Sequence, residues 1–282
     1  MIILAHDGSL YGDWVARYAL RFAAAETDRT LLLLHVLDGR IDPPLAESRF
    51  KALASEAEET AITVHSELLP VGKSVYRTLR QAIPLDPEAL LVCGTRVKPR
   101  RQAFLAGSVA EPLLRTHQCP VLAVRVVQPG LLGLPHDLLL PLAGHQAGHQ
   151  AGLDRLWPVF RRLAPQLRKA YFLQAIQVTQ LAQAHASLGR KAQLHQNGEL
   201  YLDRLIAELE TRITDPSFSV ERRVLLTGDW AHQVLVEASR LKAQMLLLGA
   251  SERSLAQRVF HGQVLERILR ETPCDVGIYR GP

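Results

Sequence analysis

The chain has 282 residues, 48% of them hydrophobic and 22% charged, enough to give each of two ordinary domains a buried core. A net charge of +5 and a pI near 9.3 come from basic residues spread along the whole length and not gathered in a tail, so no nucleic-acid partner is expected. No apolar stretch approaches the roughly 20 residues of a membrane helix, and no basic n-region precedes Ile2-Ile3-Leu4, so the expectation is a cytoplasmic protein with no membrane partner.

Taken in order, Ile2 to His6 predicts a strand, Asp7-Gly8-Ser9 a turn, and Tyr11 to Ala25 an amphipathic helix. Leu31 to Leu37 predicts a buried strand, Ser48 to Thr60 has helical composition, and Ile62 to Leu69 alternates like a strand. Gly72 opens a helix that reaches about Ala82 before Pro84 and Pro87 break the chain. Ala89 to Cys93 is a continuous apolar run of the kind carried by a strand buried on both faces. Val109 to Thr116 predicts a helix with Pro112 in its first turn, and Pro120 to Val126 a closing strand. Strands alternating with helical segments imply parallel βαβ units and a doubly wound sheet.

Residues 1–127 form the first domain on this reading, 128–136 a linker stiffened by Pro129 and Pro135, and 137–282 a second domain in the same order. Its strands are Asp137 to Leu142, Ala170 to Val178, Ser219 to Leu226, Ala243 to Leu248 and Asp275 to Tyr279. Its helices are Leu153 to Leu167, Leu200 to Arg212, Gly228 to Ser239 and Val264 to Arg270. Gly94 and Gly249, Gly107 and Gly262, Glu111 and Glu266, and Cys119 and Cys274 each lie 155 positions apart, an offset that argues for internal duplication. The three cysteines sit in or beside apolar runs without C-x-x-C spacing, which predicts buried free thiols. In the tandem HQAG of His145 to Gly152, His145 and His149 are spaced to share a helix face as metal ligands. The two glycines disfavour a helix there, so the segment reads as a flexible turn and no metal site is assigned.

The segment Gly94 to Glu111 carries the chemistry. Strand, Gly-pivoted basic loop and helix start follow one another, with Ser108 placed to accept from the Glu111 amide as a capping box. Unpaired amides at that helix start, with Arg96, Lys98, Arg100 and Arg101 nearby, make a candidate anion seat; a capped helix beside a solvated positive loop is the alternative. No G-x-G-x-x-G follows either first strand, and no P-loop or G-x-S-x-G elbow exists, which argues against dinucleotide oxidoreductases, P-loop enzymes and α/β-hydrolases.

The chain resembles a tandem universal stress protein. The resemblance rests on Ile3-Leu4-Ala5-His6-Asp7-Gly8-Ser9, Leu34-His35-Val36, Gly94-Thr95-Arg96, Gly107-Ser108-Val109-Ala110-Glu111 and Cys119-Pro120-Val121-Leu122-Ala123-Val124. It implies an α/β fold of two tandem doubly wound domains, each a five-stranded parallel sheet with helices on both faces, of the adenine nucleotide alpha-hydrolase-like type. It also implies that the last strands of the two domains pair as an intramolecular pseudo-dimer. The family's nucleotide-binding branch cradles ATP phosphates with G-x2-G-x9-G-[S/T]. By resemblance the site takes in Ala5, Asp7, Val36, Gly94, Arg96, Gly107, Ser108 and Val109, with ATP and Mg²⁺ as the ligand and no catalytic residue assigned.

Departures from the pattern divide the two halves. Val97 stands where the middle glycine belongs, and Pro99 removes a donor from the loop. In the second half Ala143 takes the place of Asp7, Glu252 that of Val97 and Gln263 that of Ser108, so no nucleotide is expected there. The leading expectation is a stress-associated regulatory protein with adenine nucleotide in its first domain and an unknown protein partner. The alternatives are a nucleotide-free interaction platform and, behind it, a nucleotide-dependent enzyme limited to slow ATP hydrolysis.

Overall fold

The computed structural model describes residues 1–95, 108–115, 118–142, 151–178, 188–213, 216–250 and 261–281. The chain divides into two compact units, the first built on Met1–Leu134 and the second on Pro135–Gly249 with residues 261–276.

In the first unit the order is β1 (Ile2–Ala5), α1 (Leu10–Ala24), β2 (Thr30–Leu37), α2 (Pro43–Glu58), β3 (Thr63–Pro70), α3 (Val75–Ala82), β4 (Leu90–Gly94), α4 (Ala110–Leu113) and β5 (Val121–Arg125). The strands line up as β3-β2-β1-β4-β5, every neighbouring pair parallel, with Ala5 opposite both Leu34 and Cys93. Ile2, Ile3 and Leu4 have no exposed surface, as expected of a strand with neighbours on both sides and helices over its faces. β3 has one neighbour and stays largely exposed, which matches its alternating sequence.

Helix starts follow local capping. Ser9 Oγ accepts from the Gly12 amide at 3.2 Å to open α1, whose buried stripe runs through Val15, Ala19, Phe22 and Ala23. α2 begins at Pro43, not at Ser48, because prolines in a first turn lack only amides that would have no helical acceptor. α3 begins after Ser74, which accepts from the Arg77 amide at 3.3 Å; Gly72 and Lys73 stay outside it. α4 is a single turn ending at Leu113, shorter than the expected Val109 to Thr116, and the Arg115 amide bonds back to the Pro112 carbonyl at 3.2 Å. Thr116 lies outside the described residues.

The second half of the chain runs β6 (Asp137–Leu142), α5 (Ala151–Leu163), β7 (Lys169–Gln177), α6 (Leu188–Arg212), β8 (Ser219–Thr227), α7 (Trp230–Arg240), β9 (Met245–Gly249), α8 (His261–Glu271) and β10 (Asp275–Arg280). β6 pairs in parallel with β7 and β9, and β7 with β8, the same winding as in the first unit. α5 closes in a 3₁₀ turn over Ala164–Gln166 instead of continuing to Leu167. α6 starts twelve positions earlier than Leu200, and the apolar stripe that made it legible (Leu202, Leu205, Leu209) occupies only its second half. α7 starts at Trp230 because Asp229 caps it, accepting from the His232 amide at 3.0 Å.

Cys93, Cys119 and Cys274 are buried free thiols. Burial pushes the Cys93 thiol up to about 12 and the Cys119 thiol up to about 11, so neither is a nucleophile near neutral pH. The HQAG segment from His145 to His149 lies outside the described residues. No helix among the described residues is long and apolar enough to cross a membrane.

Candidate ligand site at the carboxyl end of the first sheet

From β1 the chain winds outward through β2 to β3 on one side, then returns to place β4 on the other. The carboxyl ends of β1 and β4 therefore flank a topological switch point, where connections diverge and leave a crevice. Asp7 lies two residues beyond Ala5, Val36 two beyond Leu34, and Gly94 one beyond Cys93, so the parallel register brings all three to that end. Arg96 and Gly107 lie outside the described residues, as do Val97 and Pro99. Ser108 and Val109 are half-buried at the α4 start, where Ser108 Oγ accepts from the Glu111 amide at 3.3 Å, as the capping box predicts.

Asp7 and Gly94 each have a definite local role. Asp7 is exposed; its Oδ1 accepts from the Ser9 hydroxyl at 2.6 Å and the Ser9 amide at 3.1 Å, so the carboxylate orders the turn after β1. Gly8 has φ +77°, and a Cβ there would sit 3.0 Å from His35 Cε1 and 3.1 Å from Ile41 Cγ1, so glycine is required twice over. Ala5 is half-buried and Val36 buried. At Gly94 an added Cβ would come within 3.2 Å of Tyr11 Cε1 and Val15 Cγ2, so the packing of α1 already accounts for this glycine. Tyr11 then links strand ends, donating to the Thr95 carbonyl at 2.8 Å and accepting the Val126 amide at 2.9 Å. Thr95 is 1% exposed, and its Oγ1 has no hydrogen-bond partner among the described residues.

Beneath the turn lies a polar cluster that sequence reading does not single out. His6 is buried, and its Nδ1 accepts from the Gly8 amide at 2.8 Å. Its Nε2 stands 3.2 Å from Asp13 Oδ1 on α1, at ion-pair range although the ring N–H is not aimed along the oxygen. Arg49 of α2 pairs with the other Asp13 oxygen. His35 donates from Nδ1 to the His6 carbonyl at 2.9 Å. Phe50 of α2 meets both imidazoles edge-on, with centroids 5.1 and 5.6 Å away. Burial works against ionisation of Asp13, but the His6 and Arg49 contacts outweigh it and hold its carboxyl below the usual carboxylate range. The available signal was a histidine inside each of two apolar strand runs, Ala5-His6-Asp7 and Leu34-His35-Val36.

The equivalent corner of the second unit is bounded by Leu142 at the end of β6 and Gly249 at the end of β9; Ala143 and Glu252 lie outside the described residues. Among the described residues, no group of three or more His, Cys, Asp and Glu side chains is placed to hold a metal ion.

The doubly wound parallel sheet occurs in both units, and the Asx turn at its switch point is seen in the first. The universal stress protein family model matches residues 1–125 and again 164–280, and the chain belongs to that family as a tandem member. A solved Pseudomonas aeruginosa protein described as a universal stress protein shares 17% identity, with 99% of this chain and 92% of that one covered at a TM-score of 0.61. A universal stress protein from Archaeoglobus fulgidus shares 13% identity, with 98% and 95% covered and a TM-score of 0.61. The cytoplasmic domain of a prokaryotic cation chloride cotransporter is equally similar in fold, with 13% identity, 99% and 94% covered and a TM-score of 0.62. No curated protein matches the chain.

Proposed function

We propose that this protein is a cytoplasmic, stress-associated regulatory protein whose first domain binds an adenine nucleotide at the β1–β4 switch point. The observation that carries this reading is that Asp7, Val36 and Gly94 lie together at the carboxyl ends of three adjacent strands, the end where doubly wound sheets bind ligands. The buried Thr95 hydroxyl beside them suits a polar ligand, since a group so placed gains from an added partner. Asp7 would face the adenosine and Val36 would line the base. Gly107, Ser108 and Val109 would hold phosphate through backbone amides, with Arg96 adding charge. A bound Mg²⁺ would neutralise phosphate charge. The second domain, with Ala143 in place of Asp7, would serve as a structural copy.

Nucleotide retained by freshly purified protein, identified by mass, tests the reading. Adenine nucleotide should be recovered from the wild-type chain and lost from Asp7→Ala. Wild-type protein free of any nucleotide under conditions that preserve the fold would count against it.

One observation favours a second reading. Gly94 is explained by its contact with Tyr11 and Val15, and Asp7 by its own turn, so both can exist without a ligand. On that reading the basic loop after Thr95 is a partner-facing surface of a nucleotide-free platform.

A further inference from the structure

We infer that His6 is a positioning residue for the nucleotide site, holding the Gly8 amide so that the turn presents Asp7 to the ligand. The inference rests on the nucleotide reading above.

The hydrogen bonds fix the tautomer. An amide can only donate, so His6 Nδ1 must carry a lone pair to receive the Gly8 N–H at 2.8 Å. In the neutral ring the proton then sits on Nε2, the nitrogen that faces Asp13. The ring thus holds the turn on one side and faces Asp13 of α1 on the other, and Asp13 pairs with Arg49 on α2. Gly12 makes the approach possible. A Cβ on it would lie 2.7 Å from Asp7 Oδ1, 2.7 Å from His6 Cε1 and 2.8 Å from His6 Nε2, so the carboxylate and the imidazole converge on a glycine face of α1.

Protonating His6 would put a hydrogen on Nδ1, opposed to the Gly8 N–H, and the turn would lose its acceptor. The charged groups facing the ring are Asp13 from α1, which favours the imidazolium, and Arg49 from α2, which offsets Asp13. Asp7 approaches from the turn itself. From β2, His35 donates to the His6 carbonyl and Phe50 from α2 covers the ring edge, and neither supplies a charge while His35 is neutral. The site geometry therefore depends on a residue that would not touch the ligand.

The test uses the full chain, with ATP and Mg²⁺ as the probe, in wild type, His6→Ala and His6→Asn. Asparagine carries a side-chain oxygen near the Nδ1 position and does not titrate. At neutral pH, His6→Ala should bind ATP on the order of 10-fold more weakly, and His6→Asn within about 3-fold of wild type. Nitrogen NMR of the ligand-free wild type should show the neutral imidazole as the Nε2–H tautomer, with its bare Nδ1 accepting from the Gly8 amide. That spectrum stands even where His6→Ala fails to fold. An Nδ1–H tautomer, or equal ATP affinity in all three proteins, overturns the positioning role and leaves nucleotide binding standing. Wild-type protein that binds no ATP at any pH overturns the nucleotide reading, and the inference with it.

Discussion

The hydroxyl of Tyr11 donates to the backbone carbonyl of Thr95, 84 positions along the chain, at 2.8 Å. The same oxygen accepts the Val126 amide at 2.9 Å, so one side chain at the start of α1 bonds to the chain just beyond the ends of β4 and β5. Tyr11→Phe keeps the ring against Gly94 but leaves a carbonyl and an amide without their partner. The expected loss is about 1–3 kcal/mol of unfolding free energy, read from urea denaturation monitored by circular dichroism. A change within error would mean that water replaces the hydroxyl.

Gly133 packs against the backbone of α1. It has φ +72°, and an added Cβ would stand 2.7 Å from the Arg17 carbonyl carbon and 2.8 Å from the Tyr18 nitrogen. Gly39 has φ +79° and nothing within 4 Å of the same position. Gly39→Ala should cost about 1–2 kcal/mol, the left-handed backbone penalty alone. Gly133→Ala should cost distinctly more, because backbone must move as well. Equal losses in thermal or urea unfolding would show that the 132–134 segment yields freely.

Strands were legible in the sequence because their residues are buried on both faces: Ile2 to Leu4, Leu31 to Leu37 and Ala89 to Cys93 are apolar or nearly so. The duplication was legible in the 155-position offset that relates Gly94, Gly107, Glu111 and Cys119 to Gly249, Gly262, Glu266 and Cys274, and the alternation of strands with helical segments implied the doubly wound sheet. Helix starts were less legible, because they depend on single caps and on tolerance of proline, as at Pro43, Ser74 and Asp229. The first ten residues of α6 gave no signal at all. They are exposed or half-buried, so no apolar period marks them, and Leu188 is 85% exposed. At the site, Asp7 and Val36 were readable as motif positions. The His6–Asp13–Arg49 link was not, since it joins three elements through geometry that no local spacing encodes.

Asp13 makes stability depend on pH. Its carboxyl is held below the ordinary range in the folded protein, so it favours folding at pH values above its unfolded pKa. That contribution is lost as pH falls toward the folded value, because the unfolded chain then takes up the proton first. The urea midpoint of wild type should decline more steeply than that of Asp13→Asn below about pH 4. Parallel declines would show that the carboxyl contributes little.

Buried thiols give a check on the first domain's core. With Cys93 pushed up to about 12 and Cys119 up to about 11, neither should react with an aromatic disulfide reagent in the native protein at neutral pH. In denaturant all three cysteines should react rapidly. Fast native labelling of Cys93 would reveal an opening of β4 that the packed sheet does not suggest.

The proposal of a nucleotide site in the first domain is tested most directly by calorimetric titration of ATP with Mg²⁺ into the full chain. One site per chain is predicted, weakened by about 1–3 kcal/mol in Asp7→Ala, which is on the order of 5- to 150-fold in affinity. Two equivalent sites would contradict the assignment of binding to the first domain alone, and the absence of binding by a folded wild-type chain would contradict the site itself.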